Sequence, residues 1–337
     1  MTIKFNNVYI KDTSTVAGLV EKRNPLKNYF DKTYDNYYMD DSIEYSEVKM
    51  QKDAIDILLK KTNLKKDDID LFLGGDLQNQ ITASTHAHDN YNASFLGLYT
   101  ACATSIEEIL VAATFIDAKK INNALCITSS HNLAQEKQFR NPIEYGALKP
   151  ITSTFTSTGA AAIILTNEKK DIKVTSGTIG RIYNSNIKDV NNMGAIMAIA
   201  AAETINEHLT NTKTKIDDYD LILTGDLGVV GSQILKDYYL EKYNDVLSNH
   251  NDCGIILYDI KKEKEVESGG SGPVCSALVN YSYIYKKLLK KEYKKVLLVA
   301  TGALFNSTYV YQKKPILSIA NAATLEVTWH IFIHFYL

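Results

Sequence analysis

The chain has 337 residues, 45% of them hydrophobic and 23% charged, with a formal net charge of −2 at pH 7. That is room for two ordinary domains, or one large two-lobed one, around a sizeable core. The near balance of charge excludes a global field suited to nucleic acid or to an anionic membrane.

The opening segment, MTIKFNNVYI, has no apolar run of the signal-peptide kind. The first strongly patterned segment is EVKMQKDAIDILLKKTNL, where Met50, Ala54, Ile57, Leu58 and Leu64 fall near one face of an amphipathic helix. A charged turn, KKDD, follows, and LFLGGDL then reads as a short buried strand ending in glycine. STHAHDN carries His86 and His88 at the alternate spacing of a strand metal pair, but no third ligand is near and loop histidines are the simpler reading. SFLGLYTACATSIEEILVAATFIDAKKINNALCITSS reads as a small-residue turn, a long helix, a lysine-rich turn and an apolar strand.

The second part of the chain writes this order again. MGAIMAIAAA and AIAAAETINEHL form a helix, KIDDYD a turn and LILTGDL a strand. ESGGSGPVCSALVNYSYIYKKLLKKEYKKVLLVATG then gives a turn, a helix and a strand. DDIDLFLGGDLQ from Asp67 and DDYDLILTGDLG from Asp217 match without a gap across a step of 217 − 67 = 150 residues. The expectation is a duplicated α/β half: residues 1–168, residues 169–326, and an atypical apolar tail, 327–337, outside the main fold. Strands Leu71–Leu73 and Leu221–Leu223 are expected in equivalent central places, with Asp76 over Asp226. Ligands in such folds sit where the strand ends of the halves meet. The tail, ending TWHIFIHFYL, is about half the length that spans a bilayer, so no transmembrane helix is expected.

Several chemistries find no support. There is no GxxxxGK[ST] and no GxGxxG after a strand, so no nucleotide loop. Cys102, Cys126, Cys253 and Cys275 form no CxxC pair, which argues against a zinc site or a redox dithiol and for reduced thiols. No cofactor is expected. Arginine occurs only at Arg23, Arg140 and Arg181, so a bidentate carboxylate clamp has few candidates. Cys102, in ACATS just before a helix, is placed either as a nucleophile under a helix dipole or as a small buried hydrophobe.

The two halves, the TACATS elbow and the strand TSTGAAAIIL resemble the thiolase fold, that of thiolases and ketoacyl-ACP synthase III. The resemblance implies a layered αβαβα arrangement with a reactive cysteine at Cys102. It also implies a histidine and an asparagine or second histidine from the second half. Here Gly225 and Asp226 stand at the histidine turn and Ser271 at the asparagine turn. Neither glycine nor serine is a base, and an aspartate beside a thiol raises its pKa. The expectation is a protein that is not an enzyme. Dimer pairing in such folds implies a homodimer, and LCITSS is taken as its strand.

NYFDKTYD, SSHNLAQEKQFRNPIEYGALKP, NDCGIILYD and GGSGPVCSALVNYSYI, with both GDL turns, resemble the stage V sporulation protein AD family from about residue 25 to 326. That resemblance implies a non-catalytic protein that binds dipicolinic acid, alone or with calcium, and takes part in its uptake into the forespore. It implies membrane-protein partners of the same machinery and a soluble or peripheral place at the spore inner membrane. A flat aromatic dianion needs donors and a thin apolar slot. Cys102, Thr104, Ser130, His131, Asn132, Arg140, Gly225, Asp226, Ser271 and Gly272 are the candidate ligand-binding residues, and no metal site is expected. Each has a plainer reading: His131 capping its strand, Arg140 paired with Glu136 or Glu144, Asp226 fixing its turn as Asp76 would, Gly272 shaping a turn. Two alternatives stand beside this: an acyltransferase using Cys102, and a structural subunit of a spore membrane channel complex.

Overall fold

In the computed structural model, which describes residues 1–139 and 149–328, the main path of the sheet runs through ten strands. The first five are β1 (Tyr9–Ala17), β2 (Leu71–Gly75), β3 (Ser94–Gly97), β4 (Asn123–Ser130) and β5 (Gly159–Thr166). The second five are β6 (Ile172–Thr178), β7 (Leu221–Thr224), β8 (His250–Asp252), β9 (Lys295–Leu304) and β10 (Leu317–Val327). Their spatial order is β8-β7-β9-β10-β6-β1-β5-β4-β2-β3. The pattern is the same from either end. β2 pairs in parallel with β3 and β4, and β5 runs antiparallel between β4 and β1. β7 does the same with β8 and β9, and β10 lies between β9 and β6. The two sets touch through β1 and β6 at Tyr9 and Lys173. β2 and β7 hold equivalent places, but one strand in from each edge rather than at the centre.

Four helices complete the layers: α1 (Ile43–Thr62), α2 (Thr104–Asp117), α3 (Met193–Thr212) and α4, which begins as Pro273–Leu278 and continues through a π-helical turn to Tyr285–Leu289. Strand side chains alternate faces, and this sorts the core into three. Phe72 joins α1 in an outer cluster with Leu125 and Ile127. Ile222 joins α3 in the opposite outer cluster with Leu297 and Val299. Leu71, Leu73, Leu221 and Leu223 face inward onto α2 and α4, sandwiched between the two halves of the sheet. The result is the layered αβαβα arrangement.

The duplication extends to the caps. α1 ends at Asn63 and α3 at Lys213, both left-handed, and Asp68 and Asp218 each accept from the backbone N–H three residues earlier, at 2.7 and 2.8 Å. On α1 the buried face runs through Ile55 rather than Ile57, which is only half-buried. His86 and His88 lie on a short helix, Thr82–His88, not a strand. His88 bonds to Ala93 O and packs edge-on to Phe72. No group of His, Cys, Asp and Glu fit to hold a metal occurs among the described residues, and no helix among them is long and apolar enough to cross a membrane.

The expected dimer strand is corrected as well. β4, which carries LCITSS, is bonded along one side to β2 and along the other to β5. It has no edge left for a second copy. The free edges of the main path belong to β3 and β8, and on β3 Ser94, Leu96 and Gly97 are exposed. The tail beyond residue 328 and Arg140 lie outside the described residues.

Candidate functional site

Cys102 sits on a tight turn, Ala101–Ala103, that feeds α2. Ala101 has φ +52, a left-handed conformation uncommon for a residue with a Cβ. Thr104 holds the turn there: its hydroxyl donates to Ala101 O at 2.7 Å and accepts from Thr100 N at 3.0 Å. Gly302 on β9 lets the turn press in, since a Cβ there would stand 2.3 Å from Thr100 O. The elbow therefore depends on both halves of the chain, and it leaves Cys102 buried.

Asp226, from the end of β7, reaches the same point. Oδ1 accepts from Thr301 Oγ1 at 2.7 Å; Oδ2 accepts from Ser271 Oγ at 2.9 Å and from Gly272 N at 3.3 Å. The Cys102 thiol lies beside the same carboxyl. Burial pushes that thiol well above its ordinary pKa, and the Asp226 charge pushes it further; the Gly272 N–H and Ser271 oppose this and lose. Burial raises Asp226 as well, against its hydrogen-bond donors. A thiol in this setting stays protonated at neutral pH. It is a poor nucleophile, because the thiolate is the reactive form.

The reading of Asp226 as the turn-fixing counterpart of Asp76 is corrected by these bonds. Asp76 accepts from Gln78 N, Ser84 N and Ser84 Oγ at 2.7–2.8 Å and so fixes its own turn. In the second half that work falls to Asp252, which accepts from Leu227 N at 2.9 Å, from Gly228 N and Gly254 N at 3.0 Å, and from Thr224 Oγ1 at 2.7 Å. Asp226 is thereby released to face Cys102.

The remaining candidates divide. Ser130 donates to Ser157 O at 2.8 Å and lies beside Gly272, whose φ of +95 and close approach to Ser130 Oγ leave no room for a Cβ. Cys102, Ser130, Asp226, Ser271 and Gly272 thus gather in one place. Gly225 packs behind them on Ala300 and Thr301. His131 and Asn132 point elsewhere. His131 Nε2 meets Tyr37 O at 2.9 Å, its backbone N–H donates to Gln135 Oε1 at 2.5 Å, and burial lowers its pKa so that the ring is neutral. Asn132 donates to Thr156 O at 3.1 Å and ties down the loop that lines the site. Thr104 serves the elbow.

Two cavities open here. The inner one, about 50 Å³, is bounded by Cys102, Ser271, Gly272 and Thr156, with Met193 from the start of α3. The outer one, about 870 Å³, lies between the Leu77–Ile81 loop and the segment from Leu304 to Leu317. Leu77, Tyr99, Phe139 and Phe305 wall both. The outer cavity carries no sequence signal, because its two walls are short segments far apart in the chain.

Comparison with known proteins places these features. The family model described as Stage V sporulation protein AD matches residues 1–326. Stage V sporulation protein AD of Bacillus subtilis (strain 168) is 43% identical over 320 residues, covering 95% of this chain and 94% of that protein. Among solved structures, cerulenin-bound OleA of Xanthomonas campestris aligns over 97% of this chain and 98% of its own, with TM-score 0.63 at 14% identity. The 3-oxoacyl-[acyl-carrier-protein] synthase III of Aquifex aeolicus VF5 aligns over 95% and 99%, with TM-score 0.55 at 13% identity. At such identities these two structures speak for the fold, which is thiolase-like.

Proposed function

The chain belongs to the stage V sporulation protein AD family, and from that premise we propose that it is a non-catalytic binding protein for dipicolinic acid. In this reading it takes the acid, alone or with calcium, and helps pass it to membrane proteins that move it into the developing forespore, standing soluble or peripheral at the inner membrane.

The observation that carries the non-catalytic part is the Cys102–Asp226 contact. A condensing enzyme needs a thiolate, a base, and donors for an oxyanion. At this elbow the thiol faces a buried carboxylate that disfavours the thiolate, and the Gly272 N–H and Ser271 hydroxyl are already given to Asp226. The binding part rests on the family and on a cleft where the strand ends of both halves converge. Dimerisation in this reading uses the free edge of β3.

The thiolase-like neighbours favour a second reading, acyl transfer through Cys102. Exposure to short acyl-CoA esters followed by intact-mass measurement separates the two. The proposal expects no adduct, and a stoichiometric acyl group on Cys102 would replace it with the enzyme reading. Equilibrium dialysis against dipicolinate tests the binding part: retention above that of benzoate is expected, and equal retention counts against it.

A further inference from the structure

We propose that the end of the molecule opposite the elbow is a docking face for an anionic lipid bilayer. This rests on the peripheral placement in the reading above and adds which face meets the membrane and by what chemistry.

The near-zero total charge conceals a division. The four layer helices end in lysine-rich turns, at residues 60–68, 117–120, 213–218 and 286–295, which together hold 14 lysines and 6 acidic residues. With a chain total of −2, the remainder is net acidic. The four turns lie together because each feeds the start of a strand: β2, β4, β7 and β9. One row of paired residues crosses the sheet at that level: Asn123, Thr166, Tyr9, Lys173, Glu326 and Lys295. β2 joins the row through Leu71 and Ala124, and β7 through Leu221 and Val296. The elbow and the Asp226 turn sit at the other ends of α2 and β7.

The two signs of charge stand differently on this face. The carboxylates are turned in on the backbone. Asp70 accepts from Asn122 N and Asn123 N at 2.7 and 2.9 Å, and Asp220 from Lys294 N and Lys295 N at 2.6 and 2.9 Å. Asp68 and Asp218 cap their turns, and Asp117 accepts from Asn6 N and Asn7 N. Lys65, Lys119, Lys120, Lys213, Lys215 and Lys290 are all exposed, on stems long enough to carry the ammonium past those carboxylates. Complementing a helix dipole accounts for lysines within a last turn, but these six lie at or beyond the caps. Charges separated by more than about 8 Å are largely screened at physiological ionic strength, so acids at the far end do not cancel this face.

Apolar side chains select the partner. Phe115, near the end of α2, and Leu289, the last residue of α4, are 39% and 43% exposed. Lys120 N donates to Phe115 O at 3.0 Å, and Lys290 follows Leu289 directly. Lysines around exposed apolar side chains suit the boundary between headgroups and acyl chains; a nucleic-acid backbone gives Phe115 and Leu289 nothing to enter. None of the three arginines falls in these turns, so the face offers point charges rather than bidentate clamps.

The test is co-sedimentation of the full chain with vesicles of phosphatidylcholine, alone or with an equal part of phosphatidylglycerol. Binding is expected only with phosphatidylglycerol and should fade as salt rises. Each lysine near an anionic surface contributes about fivefold in partitioning. The triple variant Lys119→Glu, Lys120→Glu, Lys290→Glu should therefore lose more than about thirtyfold; the same three positions changed to Gln serve if it fails to fold. A matched reversal, Lys261→Glu, Lys262→Glu, Lys264→Glu, changes exposed residues on the loop that runs into Gly270 at the elbow end. It should bind within about threefold of wild type. No loss in the first triple, or equal loss in both, overturns the choice of face. No wild-type binding to phosphatidylglycerol vesicles overturns lipid docking, and so does tighter binding to duplex DNA at the same salt, which makes the partner a nucleic acid. Dialysis of the same samples against dipicolinate reports on the ligand reading separately, so either can fail alone.

Discussion

Ser271 gives its hydroxyl to Asp226 Oδ2 at 2.9 Å, which commits the side chain standing at the asparagine turn of the resembled enzymes to a neighbouring carboxylate instead of an incoming substrate. The same carboxylate takes the Gly272 N–H and the Thr301 hydroxyl. Donors that surround a nucleophile in an acyl-transfer site are here spent on a fixed internal anion, and the thiol is held in its neutral form.

Removing that anion should make the thiol more reactive. Asp226→Asn keeps the shape but removes the charge that raises the Cys102 pKa. One pKa unit is a tenfold change in thiolate fraction, and burial, the larger cause, remains. Alkylation of Cys102 by iodoacetamide should therefore speed up by about threefold to tenfold. A rate equal to or below that of the wild type would mean that Asp226 does not govern this thiol.

The elbow should be intolerant of a methyl group behind it. In Gly302→Ala the new Cβ meets Thr100 O, so β9 or the elbow must shift. Overpacking of this kind costs about 1–3 kcal/mol, read as a lower thermal midpoint. An unchanged midpoint would show that the turn has slack the close approach denies.

Buried acids should make stability fall as pH rises. Glu21 is fully buried, accepts from Tyr258 OH and Thr158 N, and is raised by burial to about 7. A carboxyl whose folded pKa lies above its unfolded value, near 4.5, holds its proton longer when folded. Its contribution is therefore whole below about pH 4.5 and lost as pH climbs to about 7. Glu21→Gln should remove this slope, gaining about 3 kcal/mol relative to wild type at pH 8 compared with pH 4.5. Denaturant midpoints at the two pH values check it; parallel behaviour of the two proteins would contradict it.

Edge pairing through β3 predicts a specific monomer. Leu96 is 37% exposed on that free edge. If a second copy covers it, Leu96→Lys should shift the molecular mass by light scattering from dimer to monomer at micromolar concentration, since a buried unpaired charge is costly. Wild-type protein that is already monomeric would remove the premise.

The layered fold was legible because the repeat is gapless: Phe72 and Ile222 fall on one face of their strands and their neighbours on the other, and the caps at Asn63 and Lys213 follow the same 150-residue step. Cys102 was legible as an elbow residue for a local reason, small residues before a helix. What the repeat concealed was divergence. Identical GDL turns suggest identical jobs, yet Asp252 does in the second half what Asp76 does in the first. SFLG did not read as the free edge because it is only four residues long and runs straight into the small-residue turn, whereas the longer LCITSS strand is buried between two neighbours. His131 and Asn132 follow a strand that ends at the site, but their side chains bond to Tyr37 O and Thr156 O instead. Periodicity gives a face; it does not give the partner across a loop.

We propose that this protein binds dipicolinate without acting on it. Titration calorimetry of dipicolinate into the wild-type chain at neutral pH measures this most directly. The account predicts a saturable heat with one site per chain and unchanged ligand recovered afterwards. A folded protein that shows only heat of dilution across millimolar dipicolinate would contradict it.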